Sequence, residues 1–207
     1  MKLDYNLLAR RLKEPLPGAH AHEPLRAVPV GALKPTFEHK LPPRPGSVLI
    51  LLYNGEDRIK FPLTVRQDYL GTHGGQISFP GGKAEEGEDA IETALREAEE
   101  EIGIDRSEVN VIGTLTQFFV IPSNFLVTPV IGVMKGKPAF KADPIEVQRI
   151  LEGSLDELIT EDAIQTREII AAKTYRLMAP HFEIDGEVVW GATAMMLNEF
   201  RMVIKSL

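Results

Sequence analysis

No cysteine occurs among the 207 residues, which excludes disulfides, thiolate metal centres and cysteine nucleophiles. No stretch is apolar for long enough to span a bilayer, and the opening MKLDYNLLARRLKEP lacks the apolar core of a signal peptide. A cytoplasmic protein with no membrane contact is therefore expected. Basic residues are in the minority, 23 Lys and Arg against 30 Asp and Glu, for a net charge of −7. That balance argues against a nucleic-acid-binding surface, which would show basic clustering. An anionic small-molecule partner would have to be held by local positive groups. What is plentiful is apolar content, 43%, enough for one full core but not for two large domains.

Residues 82–104, GKAEEGEDAIETALREAEEEIGI, carry the strongest pattern. At about 100° per residue, Ala90, Ile91, Ala94, Leu95, Ala98 and Ile102 form one apolar stripe, so an amphipathic helix is predicted. Gly103 followed by an apolar residue is a common helix stop, because Gly takes the left-handed C-terminal position. Glu97, Glu100 and Glu101 stand at i, i+3 and i+4 and share one edge of the stripe, whereas Glu99 lies beside Glu92 on the far side. Three like charges within a turn repel by about 0.2–0.5 kcal/mol per i,i+4 pair in solvent, and more when half buried. A hard divalent cation, Mg2+ or Mn2+, would neutralise them through oxygen ligands.

The spacing resembles the box of the Nudix hydrolase family: Gly, five residues, Glu, seven residues, Arg-Glu, hydrophobic, any, Glu-Glu, any, Gly, hydrophobic. Gly82, Glu88, Arg96, Glu97, Glu100, Glu101 and Gly103 occupy the fixed positions, with Ala98 and Ile104 at the hydrophobic ones. Ala98 is small for its place. The resemblance implies an α/β/α sandwich with a central mixed β-sheet, and metal ligation by Glu97, Glu100, Glu101 and the carbonyl of Gly81. It also implies that Glu88 and Arg96 pair to orient the ligands. Upstream, PLTVRQDYLGTHGGQISFPGG is similar to the signature of the coenzyme A pyrophosphatase branch. Leu63, Thr64, Arg66, Gly75, Phe79, Pro80, Gly81 and Gly82 match. Pro62, Gln67 and Gly71 depart from it; the last replaces an Arg that would hold phosphate bidentately. Arg66 is expected to contact the substrate, Lys83 to add positive charge near the metal, and His73 to bind phosphate or to hydrogen-bond locally.

In chain order, residues 3–13 read as a short helix with Leu3, Leu7, Leu8 and Leu12 on one side. Eight of the fifteen prolines then fall between Pro15 and Pro45, which predicts an extended arm over residues 1–45. His20 and His22 within it read as surface histidines. Residues 46–207 form the folded domain. SVLILLY closed by Asn54-Gly55 and followed by RIKFPLTVR predicts a hairpin, with Pro62 placing the return strand at an edge or bulge. VNVIGTLTQFFV and LVTPVIGVM are further strands. Ser154 and Glu157 have the spacing of a capping box opening a helix to about Ile159. Asp185-Gly186 marks another hairpin, and GATAMMLNEFRMVI a C-terminal helix with Ala192, Met195, Met196, Phe200, Val203 and Ile204 inward.

The resemblance implies metal-dependent attack of water on a phosphoric anhydride. The general base is sought among Glu100, Glu146, Glu161 and Asp162, with Glu146 first outside the box. The expected substrate is coenzyme A, cleaved to 3′,5′-ADP and 4′-phosphopantetheine. An ADP-sugar or a dinucleotide is the alternative favoured by Gly71. A non-catalytic regulatory module would be expected to lose the metal-binding glutamates, and all three are present. The arm can embrace a second copy, as in a homodimer, or pack on its own domain.

Overall fold

A computed structural model describes residues 3–31, 36–67, 75–172 and 174–207. Two adjacent strands organise it: β2 (Arg44–Asn54) runs parallel to β8 (Phe125–Met134) in continuous register from Arg44↔Phe125 to Tyr53↔Met134. Side chains alternate across a strand, and β2 shows why this pair lies at the centre. Leu49, Leu51 and Tyr53 enter the core on one face of the sheet, while Val48, Ile50 and Leu52 enter the core on the other. Val130 and Met134 of β8 join the first set, Val127 and Ile131 the second.

The remaining strands pair antiparallel around these two, giving a mixed eight-stranded sheet. β3 (Ile59–Arg66), β4 (Ile77–Ser78) and β5 (Gly81–Lys83) lie toward β2, and β6 (Asn110–Thr114) and β7 (Phe118–Val120) pair with β8. β9 (Val147–Ser154) pairs with β3 from Lys60↔Ser154 to Arg66↔Val147. The first face is covered by α3 (Ala90–Ile102) through Ala94, Ala98 and Ile102, all fully buried. The second is covered by α5 (Gly191–Lys205), whose inward residues include Met195, Met196, Phe200, Val203 and Ile204. A four-stranded sheet of β1 (Val28–Pro29), β10 (Ile164–Ala171), β11 (Tyr175–Ile184) and β12 (Glu187–Trp190) completes that side with Phe182, Ile184 and Val189. The result is the expected α/β/α arrangement about a mixed sheet. Among the described residues no helix is long and apolar enough to cross a membrane.

Several local expectations change. The Asn54-Gly55 turn is wider than a two-residue hairpin, closing with Gly55 N–H on the Arg58 carbonyl, and β2 and β3 pair only at Tyr53↔Lys60 and Asn54↔Ile59. The two strands then diverge because β2 prefers β8 and β3 prefers β9. Pro62 lies in the stretch of β3 between its ladders to β2 and β4, and the bulge falls instead at Val65 and Arg66. The capping box at Ser154 does not form. Ser154 is the last residue of β9, buried, with no hydrogen-bond partner for its Oγ among the described residues, and Glu157 pairs with Arg58. α4 (Leu155–Leu158) is a single turn.

The N-terminal segment packs on the chain's own core. α1 (Tyr5–Arg11), capped by Asp4, buries Leu8, and Leu12 and Leu25 join the same apolar cluster. His22, in the turn α2 (Ala19–His22), is buried rather than on the surface. Its Nε2 lies 2.9 Å from Glu199 Oε2 of α5, and its ring stands edge-on to Phe118. Glu199 also accepts from Gly18 N–H and Thr116 Oγ1, so one buried carboxylate joins the arm, the segment between β6 and β7, and the last helix. Burial alone would raise its pKa; the hydrogen bonds from His22, Thr116 and Gly18 outweigh burial and hold it below the usual carboxylate range.

Candidate active site

α3 begins with a capping box that the sequence reading missed. Asp89 accepts from Ile91 and Glu92 N–H, and the Glu92 side chain accepts from Asp89 N–H. It ends as expected at Gly103, which is left-handed at φ 69°. Ile91, assigned to the buried stripe, is 38% exposed; Thr93 and Glu101 take the inward positions. Burying Ala94 and Ala98 instead of larger side chains lets the helix axis approach the sheet closely. The small residue at 98 thus brings the glutamates against β5.

β5 lies antiparallel on the start of β2, with Ser47↔Gly82 and Val48↔Gly81. Its glycines are required for two different reasons. Gly81 has φ +155°, and a Cβ there would stand 2.3 Å from the Ser47 carbonyl oxygen and 2.6 Å from Val48 Cα. At Gly82 a Cβ would stand 2.5 Å from Glu97 Oε2, so the Glu97 carboxylate lies directly over this residue.

Arg96 is the hub of the charged groups. Its Nε and Nη2 grip both oxygens of Glu88 at 2.6 and 2.9 Å. Nη1 donates to Glu97 at 2.8 Å and Glu100 at 3.1 Å, and Nη2 also donates to the carbonyl of Lys83. A planar guanidinium suits this many acceptors because its donors are fixed in one fork. Glu88 further accepts from Glu85 N–H and Thr93 Oγ1, and these bonds, led by those from Arg96, lower its pKa to about 2. The loop before the helix is thus tied to the helix through the Glu88–Arg96 pair that the resemblance implied. The Lys83 side chain is exposed.

Glu101 is 4% exposed, and its Oε2 accepts from Gly81 N–H at 3.2 Å. Arg66 Nη1 stands 4.0 Å from its other oxygen, and Arg66 Nε is buried without a hydrogen-bond partner among the described residues. Burial pushes the Glu101 pKa up to about 8, against the pull of Arg66 and Gly81, and the charges of Glu97 and Glu146 add to the rise. Glu97 is raised as well, by burial first, with Glu100 and Glu146 repelling it and Arg96 opposing. Glu146, distant in sequence, acts on both carboxylates by charge, and its loop is held to α3 by Asp143 N–H on the Glu101 carbonyl. Among the described residues, no three acidic or histidine side chains converge closely enough to ligate one cation as they stand. Arg96 draws Glu97 and Glu100 to itself instead.

Of the residues picked from sequence, Arg66, Gly81, Glu88, Arg96, Glu97, Glu100 and Glu101 are brought together, and Glu146 is carried by a loop tied to the end of α3 through Asp143 N–H and the Glu101 carbonyl. His73 and Gly71 lie outside the described residues. Glu161 is paired with Lys205 of α5, and Asp162 lines a depression over Phe61 and Phe182. Asp143 and Thr93 went unrecognised, although Asp143-Pro144 is a turn signal of the kind that fixes a loop.

A model of the NUDIX domain matches residues 43–179. "Nudix hydrolase 22, chloroplastic" of Arabidopsis thaliana is 37% identical over 171 residues, which cover 78% of this chain and 56% of that protein. The chain therefore spans just over half the length of that relative. "Uncharacterized Nudix hydrolase NudL" of Yersinia enterocolitica is 36% identical over 138 residues, 66% of this chain and 69% of that one. The crystal structure of RenU, a Nudix hydrolase from M. smegmatis, superposes with a TM-score of 0.52 over 81% of this chain and 90% of that chain. At 15% identity this is a likeness of fold alone.

Proposed function

The chain belongs to the Nudix family, and from that premise we propose that it hydrolyses the diphosphate bond of a nucleoside-diphosphate-linked small molecule in the cytoplasm. The substrate we infer is coenzyme A or a derivative, cleaved to 3′,5′-ADP and 4′-phosphopantetheine. The observation that carries the reading is the crowding of carboxylates at one place. Glu101 is buried, Glu97 is half-buried over Gly82, where any Cβ would collide with its carboxylate, and the charge of Glu146 acts on both.

Such a set of oxygen donors suits a hard divalent cation, Mg2+ or Mn2+. Repulsion among the carboxylates and the raised pKa of Glu101 are the strain that a bound cation would relieve. Glu97, Glu100 and Glu101, with the carbonyl of Gly81, would hold it. When bound, it neutralises charge on the phosphate oxygens and acidifies water. The protein's own groups do the rest. Arg66, whose Nη1 stands 4.0 Å from Glu101, would hold a phosphate oxygen through its guanidinium. Glu146 or Glu100 would take the proton as the water oxygen bonds to phosphorus and the bridging P–O bond breaks, the second phosphate leaving with that bond's electron pair. Glu88 and Arg96 fix Glu97 and the Lys83 backbone. Choosing coenzyme A within the family rests on Leu63, Thr64, Arg66, Gly75 and Phe79 to Gly82, of which Phe79 is fully buried near Phe61 and Thr64 is bonded to Ser78.

Product analysis after incubation with coenzyme A, with and without Mn2+ or Mg2+, tests the proposal. Metal-dependent appearance of 3′,5′-ADP is expected. Turnover of ADP-ribose or a dinucleotide without turnover of coenzyme A would reject the substrate and keep the reaction class.

A further inference from the structure

Gln67 departs from the branch signature, which carries Ser or Ala at that place, and the structure gives its longer side chain a task. β3 ends at Arg66 in a bulge against β9, a device that re-aims the following residue. Gln67 then lies across the loop of residues 143–147. Its Nε2 donates to the Pro144 carbonyl at 3.0 Å and reaches the Val147 carbonyl at 3.5 Å, while its backbone N–H donates to the Glu146 carbonyl at 3.1 Å. A Ser or Ala side chain is too short to make the first two contacts.

The loop is fixed from its other side by Asp143. Asp143 Oδ1 accepts from Ile145 and Glu146 N–H, its carbonyl accepts from Val147 N–H, and its own N–H donates to the Glu101 carbonyl at the end of α3. The segment bearing Glu146 is thus held between the strand that presents Arg66 and the helix that presents Glu97 and Glu101. Both neighbours supply groups of the site, so the loop's position sets where the Glu146 carboxylate stands relative to them.

We propose that Gln67 is a positioning residue, whose side-chain amide clamps the 143–147 loop and so fixes Glu146 beside the Glu97–Glu101 pair. The inference rests on the reading of Glu146 as the proton acceptor of the hydrolysis. Glu146 touches the reacting water in that reading; Gln67 acts only through it.

The test is a double-mutant cycle of Gln67→Met and Glu146→Gln, with kcat and KM measured for coenzyme A at saturating Mn2+. It is accompanied by amide hydrogen exchange of residues 143–147. Met keeps the bulk and loses the donor. Displacement of a reacting group by a fraction of an ångström predicts a kcat about tenfold lower with KM unchanged. In the Glu146→Gln background the same substitution should have no further effect, because the group it positions is gone. Exchange at Glu146 and Val147 should rise in Gln67→Met while exchange in β2 and β8 stays unchanged. An equal tenfold loss in both backgrounds would overturn the proposal, as would unchanged kcat or unchanged exchange. Full activity of Glu146→Gln alone would instead remove the reading of Glu146, and the positioning role with it. If no diphosphate is turned over, the exchange result still decides whether the clamp exists.

Discussion

The two adjacent glycines of β5 should fail in opposite ways when each is replaced by alanine. In Gly81→Ala the new Cβ meets backbone first, at 2.3 Å from the Ser47 oxygen and 2.6 Å from Val48 Cα, with Val48 Cγ1 at 2.8 Å, and the residue sits at φ +155°. Neither backbone atom can rotate away, so β5 must lift from β2 by about 1 Å. Overpacking and backbone strain of this kind cost about 3 kcal/mol or more, which for a chain of this length lowers Tm by roughly 6–12 °C. In Gly82→Ala the Cβ meets the end of the Glu97 side chain at 2.5 Å. Rotating Glu97 gives up its 2.8 Å bond from Arg96, about 1 kcal/mol, offset by the 0.4–1 kcal/mol or so gained when Ala replaces Gly in the unfolded chain. Tm should then stay within about 3 °C. Activity should not survive as well, because a carboxylate displaced by about 1 Å costs on the order of a hundredfold in rate. Thermal melts of the two variants beside Mn2+-dependent turnover of coenzyme A decide the matter. Wild-type turnover by Gly82→Ala, or a melting loss equal to that of Gly81→Ala, would show that the missing side chain is not what makes room for Glu97.

Other outcomes follow from the charged groups. In metal-free protein Glu101 binds a proton that the unfolded chain releases. Its contribution to stability is therefore complete below about pH 4.5 and lost as pH rises through its folded pKa of about 8. Glu101→Gln should flatten that fall in urea titrations with chelator and should abolish Mn2+-dependent turnover; an unchanged pH slope refutes the assignment. Arg96→Met releases Glu88, Glu97 and Glu100 together and should lower turnover about 10–100-fold, measured at saturating metal and substrate. Glu199 has the opposite sign. Its folded pKa is depressed, so its stabilisation is present above about pH 4.5 and lost as pH falls through the lower folded value. Glu199→Gln should make acid unfolding, followed by circular dichroism, less steep below that pH.

What the sequence made legible was whatever depends on near neighbours. The i, i+3, i+4 spacing in residues 97–101, the stop at Gly103 and the pairing of Glu88 with Arg96 lie within one loop and one helix, and they stand in the structure as expected. The same short-range logic failed at Ser154, where a capping pattern was overridden by pairing of β9 with β3 about ninety residues away. It failed at His22, whose burial depends on Glu199, 177 residues later. Ile91 fits the helical period, yet only the depth of α3 on the sheet decides that it stays exposed. The loop of Glu146 is held by Asp143 at the end of α3 and by Gln67; Asp143-Pro144 signals a turn, but no local pattern says which helix the turn meets.

The buried carboxylate of Glu199 also sets a timetable for synthesis. The partners that receive the beginning of the chain lie near its far end: Gly18 and His22 meet Glu199, the Ala21 carbonyl meets Asn198, and Arg11 meets Ser206. At about 5–20 residues per second, α1 and α2 spend roughly ten to forty seconds emerged from the ribosome before α5 exists to receive them. During that interval Leu8, Leu12 and Leu25 lack the part of their apolar cluster that α5 supplies. α1 and α2, made well before α5, can make these contacts only once α5 has been made.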